Sequence, residues 1–167
     1  MPEKDVIFSS KMKSTGIFSF KDFYRFCYDW LIDETALLIS EDKYSEKLKG
    51  NSKDIDIQWT GKRKVTDYFR FEVQVNFRII GMTNVEINQK GAKITTNQGQ
   101  IEVKVKGTLV RDYEGKFETT AFKKFLRSIY EKWVIPSRIE QFEEKLITDC
   151  DEFLNQAKAY LDLEGKR

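Results

Sequence analysis

Three sets of side chains in this sequence carry groups that could do chemistry. Lys62-Arg63-Lys64 follow Gly61, and Arg70, Arg78 and Lys104 lie on nearby alternating stretches. Lysine and arginine are the side chains that contact phosphate oxygens, so these six are the candidate phosphate contacts. Asp54 and Asp56 are two apart, which on a strand puts both carboxyls on one face about 7 Å apart, as an acid–base pair could use. Asp149, Asp151 and Glu152 are close in sequence. Their neighbourhood has helical periodicity, so successive side chains point about 100° apart and do not converge as the oxygens of a calcium loop do. Neither carboxylate set has a positioned partner. No catalytic, metal-ligating or cofactor-binding residue is assigned, and no cofactor is expected.

The chain contains no histidine. That removes the commonest general base and transition-metal ligand, and with them any Ser-His-Asp or Cys-His mechanism. Cys27 and Cys150 are too far apart to form a CxxC motif, and both lie on apolar stripes. Buried free thiols are therefore expected, which fits a reducing, cytoplasmic compartment. Neither GxxxxGK[ST] nor GxGxxG occurs, so no nucleotide loop is signalled. The opening Met-Pro-Glu-Lys-Asp has no apolar h-region behind it, so no signal peptide is expected, and no apolar run approaches the ~18 residues of a membrane span. With 167 residues, 40% hydrophobic and 14% aromatic, the chain can build one core without staples, and its net charge of +2 excludes a polybasic or polyacidic tail.

Several elements must position these groups. Residues 1–18 read as uncertain or extended. Ser19 with Asp22 resembles a capping box, and Phe20, Phe23, Tyr24, Cys27 and Leu31 follow at helical spacing, giving a helix over 19–34. An antiparallel sheet is expected over 43–113. Its first strand falls at 43–49, before the Gly50-Asn51-Ser52 turn. The strongest signal is Phe69, Phe71, Val73, Val75, Phe77 and Ile79 alternating with Arg70, Glu72, Gln74, Asn76 and Arg78, a long strand with one buried face. Asn88 to Gly91 and Asn97-Gln98-Gly99 read as turns, and Ile101, Val103, Val105 and Leu109 as the inward row of the last strand. Gly107 on that row marks a bulge or bend. Two helices broken near Pro136 fill 118–163. The first carries Phe122, Phe125, Leu126, Ile129, Tyr130 and Trp133 as its expected core stripe. The second has a capping-box-like Ser137/Glu140 start.

The expected class is α+β: an N-terminal helix, then a curved antiparallel sheet, then long C-terminal helices packed on one sheet face. That element order resembles the helix-grip architecture, in which a curved sheet wraps a long C-terminal helix over a cavity. The segments VTDYFRFEVQVNFRIIG (65–81), GTLVRDYEGKFE (107–118) and IEQFEEKLITDCDEFLNQAKAYLDLEG (139–165) resemble small uncharacterised archaeal proteins over about residues 60–167. This resemblance implies an ancestry and a compartment but no activity.

Charge is uneven. Residues 118–138 set Lys123, Lys124, Arg127, Lys132 and Arg138 against Glu118 and Glu131, whereas 139–164 are dominated by carboxylates. The apolar stripe Ile139, Phe142, Leu146, Phe153 and Leu161 either lids the sheet or forms a partner interface. The functional expectation is a non-enzymatic cytoplasmic binding or scaffold protein acting through macromolecular contacts, with a protein partner or self-association and no membrane. One alternative is a helix-grip pocket holding a small apolar ligand. The other is an accessory nucleic-acid-binding protein, and clustering of the six candidate cations on one surface would favour it.

Overall fold

Buried residues alternate with exposed or half-buried ones over 69–79 and 101–107 of the computed structural model, which describes residues 3–113, 120–129, 132 and 136–165. The elements are β1 (Glu3–Phe18), α1 (Phe20–Thr35), β2 (Leu38–Lys49), β3 (Ser52–Lys64), β4 (Phe69–Gln89), β5 (Ala92–Arg111), α2 (Ala121–Ile129) and α3 (Pro136–Gly165). The strands form one antiparallel sheet in the order β1-β5-β4-β3-β2. The architecture is α+β, as expected, but the chain opens on a strand and not on a helix. β1 pairs with β5 along its length, Ser10 opposite Val105 and Met12 opposite Val103. Its own pattern is a poor guide because only Phe18 is buried in the core while Ile7, Phe8 and Met12 are partly buried against it, and a partner some ninety residues away holds it in place.

β4 and β5 run on past the sheet as a hairpin closed by Lys90-Gly91, both at positive φ (53° and 81°). Two left-handed residues are the twist-matched way to close a two-residue loop. The turn expected at residues 97–99 is absent: Asn97 pairs with Asn84 and Gln98 with Thr83 inside the ladder. The Asn97 side chain instead accepts from the Phe20 backbone N–H at 3.0 Å, beside the start of α1. β2 begins at Leu38, earlier than residue 43, and is exposed along nearly its whole length as a sheet edge.

Ser19 caps α1, its hydroxyl accepting from the Asp22 N–H at 3.4 Å. α1 ends at Ala36 in the left-handed region, where the Ala36 N–H reaches the Ile32 carbonyl at 3.2 Å. α3 starts at Pro136, whose fixed φ suits a first helical position. The expectations for Tyr130 and Trp133 fall outside the described residues. The rest of the expected α2 stripe is not core. Phe122 is 68% exposed and Phe125 59%, and Arg127 is buried instead, reaching Glu3 at 3.0 Å, Asp112 at 3.7 Å and the Tyr68 hydroxyl at 3.1 Å.

The core lies between one sheet face and the pair α1/α3. Ile55, Ile57 and Trp59 of β3, Phe69 to Ile79 of β4, and Ile101 to Leu109 of β5 supply its floor. Phe23, Cys27 and Leu31 of α1 and Leu146, Cys150, Phe153 and Leu161 of α3 close it from above. Rings interlock across this layer: Trp59 meets Phe77 edge-on at 4.7 Å and Tyr24 at 5.1 Å, and Phe23 reaches both Phe77 and Tyr160.

Gly107 lets α3 lie close against β5. A Cβ there would stand 3.0 Å from Cys150 Sγ and 3.4 Å from Leu146, and the β1 register slips opposite it, between Val6 and Phe8. Gly107→Val pushes α3 off the sheet. Overpacking of this kind typically costs ~1–3 kcal/mol, so chemical denaturation should show a lower midpoint, and an unchanged midpoint would mean that α3 yields freely there.

Candidate functional site

The second face of the sheet is covered by neither α1 nor α3. Alternation along each strand and register across strands together decide which side chains share it. Lys11, Lys104, Asn76, Gln58 and Lys43 form one row across all five strands. Ser9, Lys106, Gln74 and Thr60 form the next row. On the other side of the first row stand Lys13, Glu102, Arg78, Asp56 and Ser45. Val6, Thr108, Glu72, Lys62 and Leu38 make a further row, followed by Lys4, Val110, Arg70 and Lys64. Same-face neighbours are spaced about 7 Å along a strand and about 4.8 Å between strands, so five strands present a surface roughly 19 Å wide.

Carboxylates are the minority on this face, and each is engaged. Glu102 lies 3.7 Å from Lys13 and 4.0 Å from Lys11. Asp56 pairs with Lys43 at 3.0 Å, and Glu72 with Arg70 at 3.4 Å. Asp54 pairs with Lys49 at 2.9 Å and accepts from the Gly81 N–H at 2.9 Å, at the bulge where β4 twists out of register. That backbone hydrogen bond, with Lys49 beside it, holds the Asp54 carboxyl below its ordinary pKa. Lys62, Arg78, Lys104 and Lys106 are exposed and have no carboxylate within 4 Å among the described residues. Lys64 and Arg70 lean towards the Tyr113 ring, 5.9 and 5.4 Å from its centre.

Of the six cations singled out in the sequence, Lys62, Lys64, Arg70, Arg78 and Lys104 therefore share this face. Arg63 does not. It sits opposite Phe71 on the core-side row, and its Nη1 donates to the Thr35 carbonyl at 3.2 Å, satisfying the end of α1. On a strand the middle of three consecutive residues must point the other way. The residues missed were Lys4, Lys11 and Lys13. The two-residue spacing of Lys11 and Lys13 was the available signal, but without β1 assigned as a strand it had no face to belong to.

The chain matches no family model, no curated protein and no solved structure.

The other candidate groups are placed as follows. Asp54 and Asp56 are held in the separate ion pairs given above. Asp149 pairs with Lys145 at 2.8 Å, and Glu152 accepts from Gln156 at 2.9 Å. Among the described residues no cluster of histidine, cysteine or carboxylate side chains is arranged to hold a metal ion, and no helix is long and apolar enough to cross a membrane. Leu146, Phe153 and Leu161 are buried against the sheet, with Ile139 and Phe142 packed at the margin, so this stripe is occupied within the chain's own core. Cys27 and Cys150 are buried free thiols, and desolvation raises the Cys150 pKa to about 12 and Cys27 well above its ordinary value. Between Leu31, Val73, Val105, Cys150 and Phe153 there remains a cavity of about 10 Å³, no more than a water molecule would fill.

At the exposed margin of the core the Tyr24 hydroxyl donates to Glu41 at 2.6 Å, and Trp59 Nε1 donates to the same carboxylate at 3.3 Å. Tyr44 donates to Glu46 at 2.9 Å. Burial first, then the adjacent carboxylate, pushes both phenols up to about 12. A phenol whose pKa is higher folded than unfolded stabilises the fold below pH ~10 and loses that contribution as pH rises towards 12. Two tyrosines should therefore ionise late in an ultraviolet titration while the melting temperature falls across that interval. Normal ionisation of all seven tyrosines near pH 10 would contradict these contacts.

Proposed function

We propose that this chain acts by binding rather than by catalysis, and that the open sheet face lies against the phosphate backbone of a nucleic acid. The observation that supports the reading is the convergence of Lys62, Arg78, Lys104 and Lys106, exposed and without carboxylate partners among the described residues, with further lysines on the sheet face turned away from α1 and α3. Phosphate neutralisation needs cations on a continuous surface and little else. The rows of β1, β3, β4 and β5 carry no aromatic ring, and the one ring at their end, Tyr113, already lies against Lys64 and Arg70, so contact is read as sequence-blind. The exposed apolar side chains in these rows, Val6 and Leu38, stand on opposite edge strands and make no contiguous patch, which favours a nucleic acid over a bilayer.

The helix-grip reading is kept as the architecture: the first strand lies beside the last, and the long C-terminal helix crosses the same sheet face as α1. With a cavity of about 10 Å³, that arrangement supports a filled core better than a small-ligand pocket. A cytoplasmic location and kinship with the small archaeal proteins that residues 65–81, 107–118 and 139–165 resemble belong to the same proposal.

The test is a binding titration with an arbitrary-sequence DNA duplex, by fluorescence anisotropy at low salt. Saturable binding is expected, weakened by Lys104→Ser with Lys106→Ser and unaffected by Lys158→Ser, which changes an exposed lysine on α3. Absence of binding at low salt, or equal weakening by all three changes, overturns the reading.

A further inference from the structure

The edge strand β2 carries a bulge that aims two side chains. Glu41 and Tyr44 are three residues apart, so on a regular strand they would face opposite ways. Instead Glu41 stands opposite Trp59 and Tyr44 opposite Ile57, both on the side of the sheet where α1 lies, because the register slips between Glu41 and Lys43. Asp42 is the extra residue. Its carboxylate accepts from the Thr60 and Ser40 hydroxyls on the other side. Bulges re-aim side chains in this way and are over-represented beside active sites.

The bulge completes a corner built from three elements. α1 contributes Tyr24 and Tyr28, four residues apart and therefore on one side of the helix. β2 contributes Glu41 and Tyr44, and β3 contributes Trp59. Tyr24 and Tyr28 both stand edge-on to Trp59, at 5.1 and 5.7 Å. The Tyr24 hydroxyl and the Trp59 indole donate to the same oxygen of Glu41, Oε1. Oε2 has no hydrogen bond, and no cation lies within 4 Å of it, among the described residues. Tyr44 faces the same space: burial and Glu46 raise its pKa first, and the charges of Tyr24 and Glu41 add to the rise. Tyr28 is 37% exposed and Tyr44 44%, so the corner opens to solvent while the buried Trp59 closes it from below.

Three phenol rings, an indole and a carboxylate oxygen without a partner are suited to an organic cation. Aromatic faces attract positive charge through their quadrupole, and the carboxylate adds a full negative charge. A metal ion fits less well. Glu46, the next carboxylate, is already held by Tyr44 and Lys53, which leaves one free oxygen where hard cations take six or more. We propose that this corner binds an organic ammonium group, the end of a lysine side chain or a quaternary amine. The corner shares no residue with the open sheet face.

An NMR titration of the full chain tests this, followed at the Trp59 indole N–H, which donates into the corner. The probes are butylammonium and choline, one for each source of the ammonium group. Controls are the neutral carbon isostere of choline and sodium chloride at matched ionic strength. At least one ammonium should give a saturable shift, and the isostere should bind at least about tenfold more weakly. Tyr44→Leu removes an exposed ring, and Glu41→Gln removes the charge while keeping an acceptor for Tyr24 and Trp59. Each should weaken binding about fivefold or more with little change in melting temperature, whereas Tyr44→Phe keeps the ring and should bind like wild type. Saturation by choline alone identifies a quaternary amine, and by butylammonium alone a lysine end. No saturable shift from either ammonium overturns the proposal, as do equal binding of the isostere and an affinity unchanged by Tyr44→Leu or by Glu41→Gln. With no nucleic acid present, these outcomes leave the reading of the open face untouched.

Discussion

Trp59→Ala lowers the melting temperature by about 10 °C or more. Trp59 is 1% exposed and is the largest of the fully buried side chains. It sits on β3 at the point where the sheet meets α1, edge-on to Tyr24, Tyr28 and Phe77. Truncation leaves a cavity bounded by three rings that cannot all collapse into it, and removes the indole donor to Glu41. Phe or Trp to alanine in such sites costs ~3–5 kcal/mol, against a total stability of ~5–15 kcal/mol. At about 2–4 °C per kcal/mol for a chain of this size, the shift is large in any thermal melt. Trp59→Phe keeps most of the packing and should recover much of the loss. A Trp59→Ala protein that melts like wild type would mean that the helices do not cover this face, and the division into a buried and an open sheet face would fail with it.

The second large effect is on nucleic-acid affinity. If the open face neutralises several phosphates, affinity for an arbitrary duplex should fall by about 10³-fold or more between 50 and 200 mM salt. The fall comes from counterion release, so it is linear in log–log form, with a slope of about −0.9 per phosphate contacted. Serine at Lys104, Lys106 and Arg78 should each flatten the slope by about that increment, whereas scrambling the duplex sequence should leave affinity unchanged. Arg63→Ser is the informative contrast. Its guanidinium closes α1 on the other side of the sheet, so the slope should hold while stability drops. A slope near zero, or one that responds to Arg63 as strongly as to Lys104, would show that the ordered rows of the sheet are not the binding surface.

How much of this was legible in the sequence depends on how local each signal is. Six apolar residues in strict alternation from Phe69 to Ile79 fix a strand and its buried side without reference to anything else, and all six are core. Ser19 and Asp22 locate the start of α1 through a contact three residues long. The stripe from Leu146 to Leu161 identifies a helix that must lie on an apolar surface, and the inward rows of β4 and β5 are such a surface. β1 was not legible, because its stability comes from a ladder with β5 and its own side chains alternate only faintly. The open face suffered in turn: Lys11 and Lys13 join Lys104 only through that ladder, and Arg63 leaves the set only once residues 62–64 are seen to be extended.

The sequence by itself determined the class, the dominant strands, the two core-forming helices and the absence of histidine chemistry, because period and composition are properties of the chain alone. Tertiary structure decided which side of each element meets which neighbour. For α2 the period was right and the direction was not. Phe122, Phe125, Leu126 and Ile129 mark an amphipathic helix, but a pattern of hydrophobicity carries no record of Asp112 and Tyr68 waiting at the end of the sheet. Only their burial makes Arg127 the residue that must point inward, and a buried charge that needs its partner outweighs the apolar surface left in water.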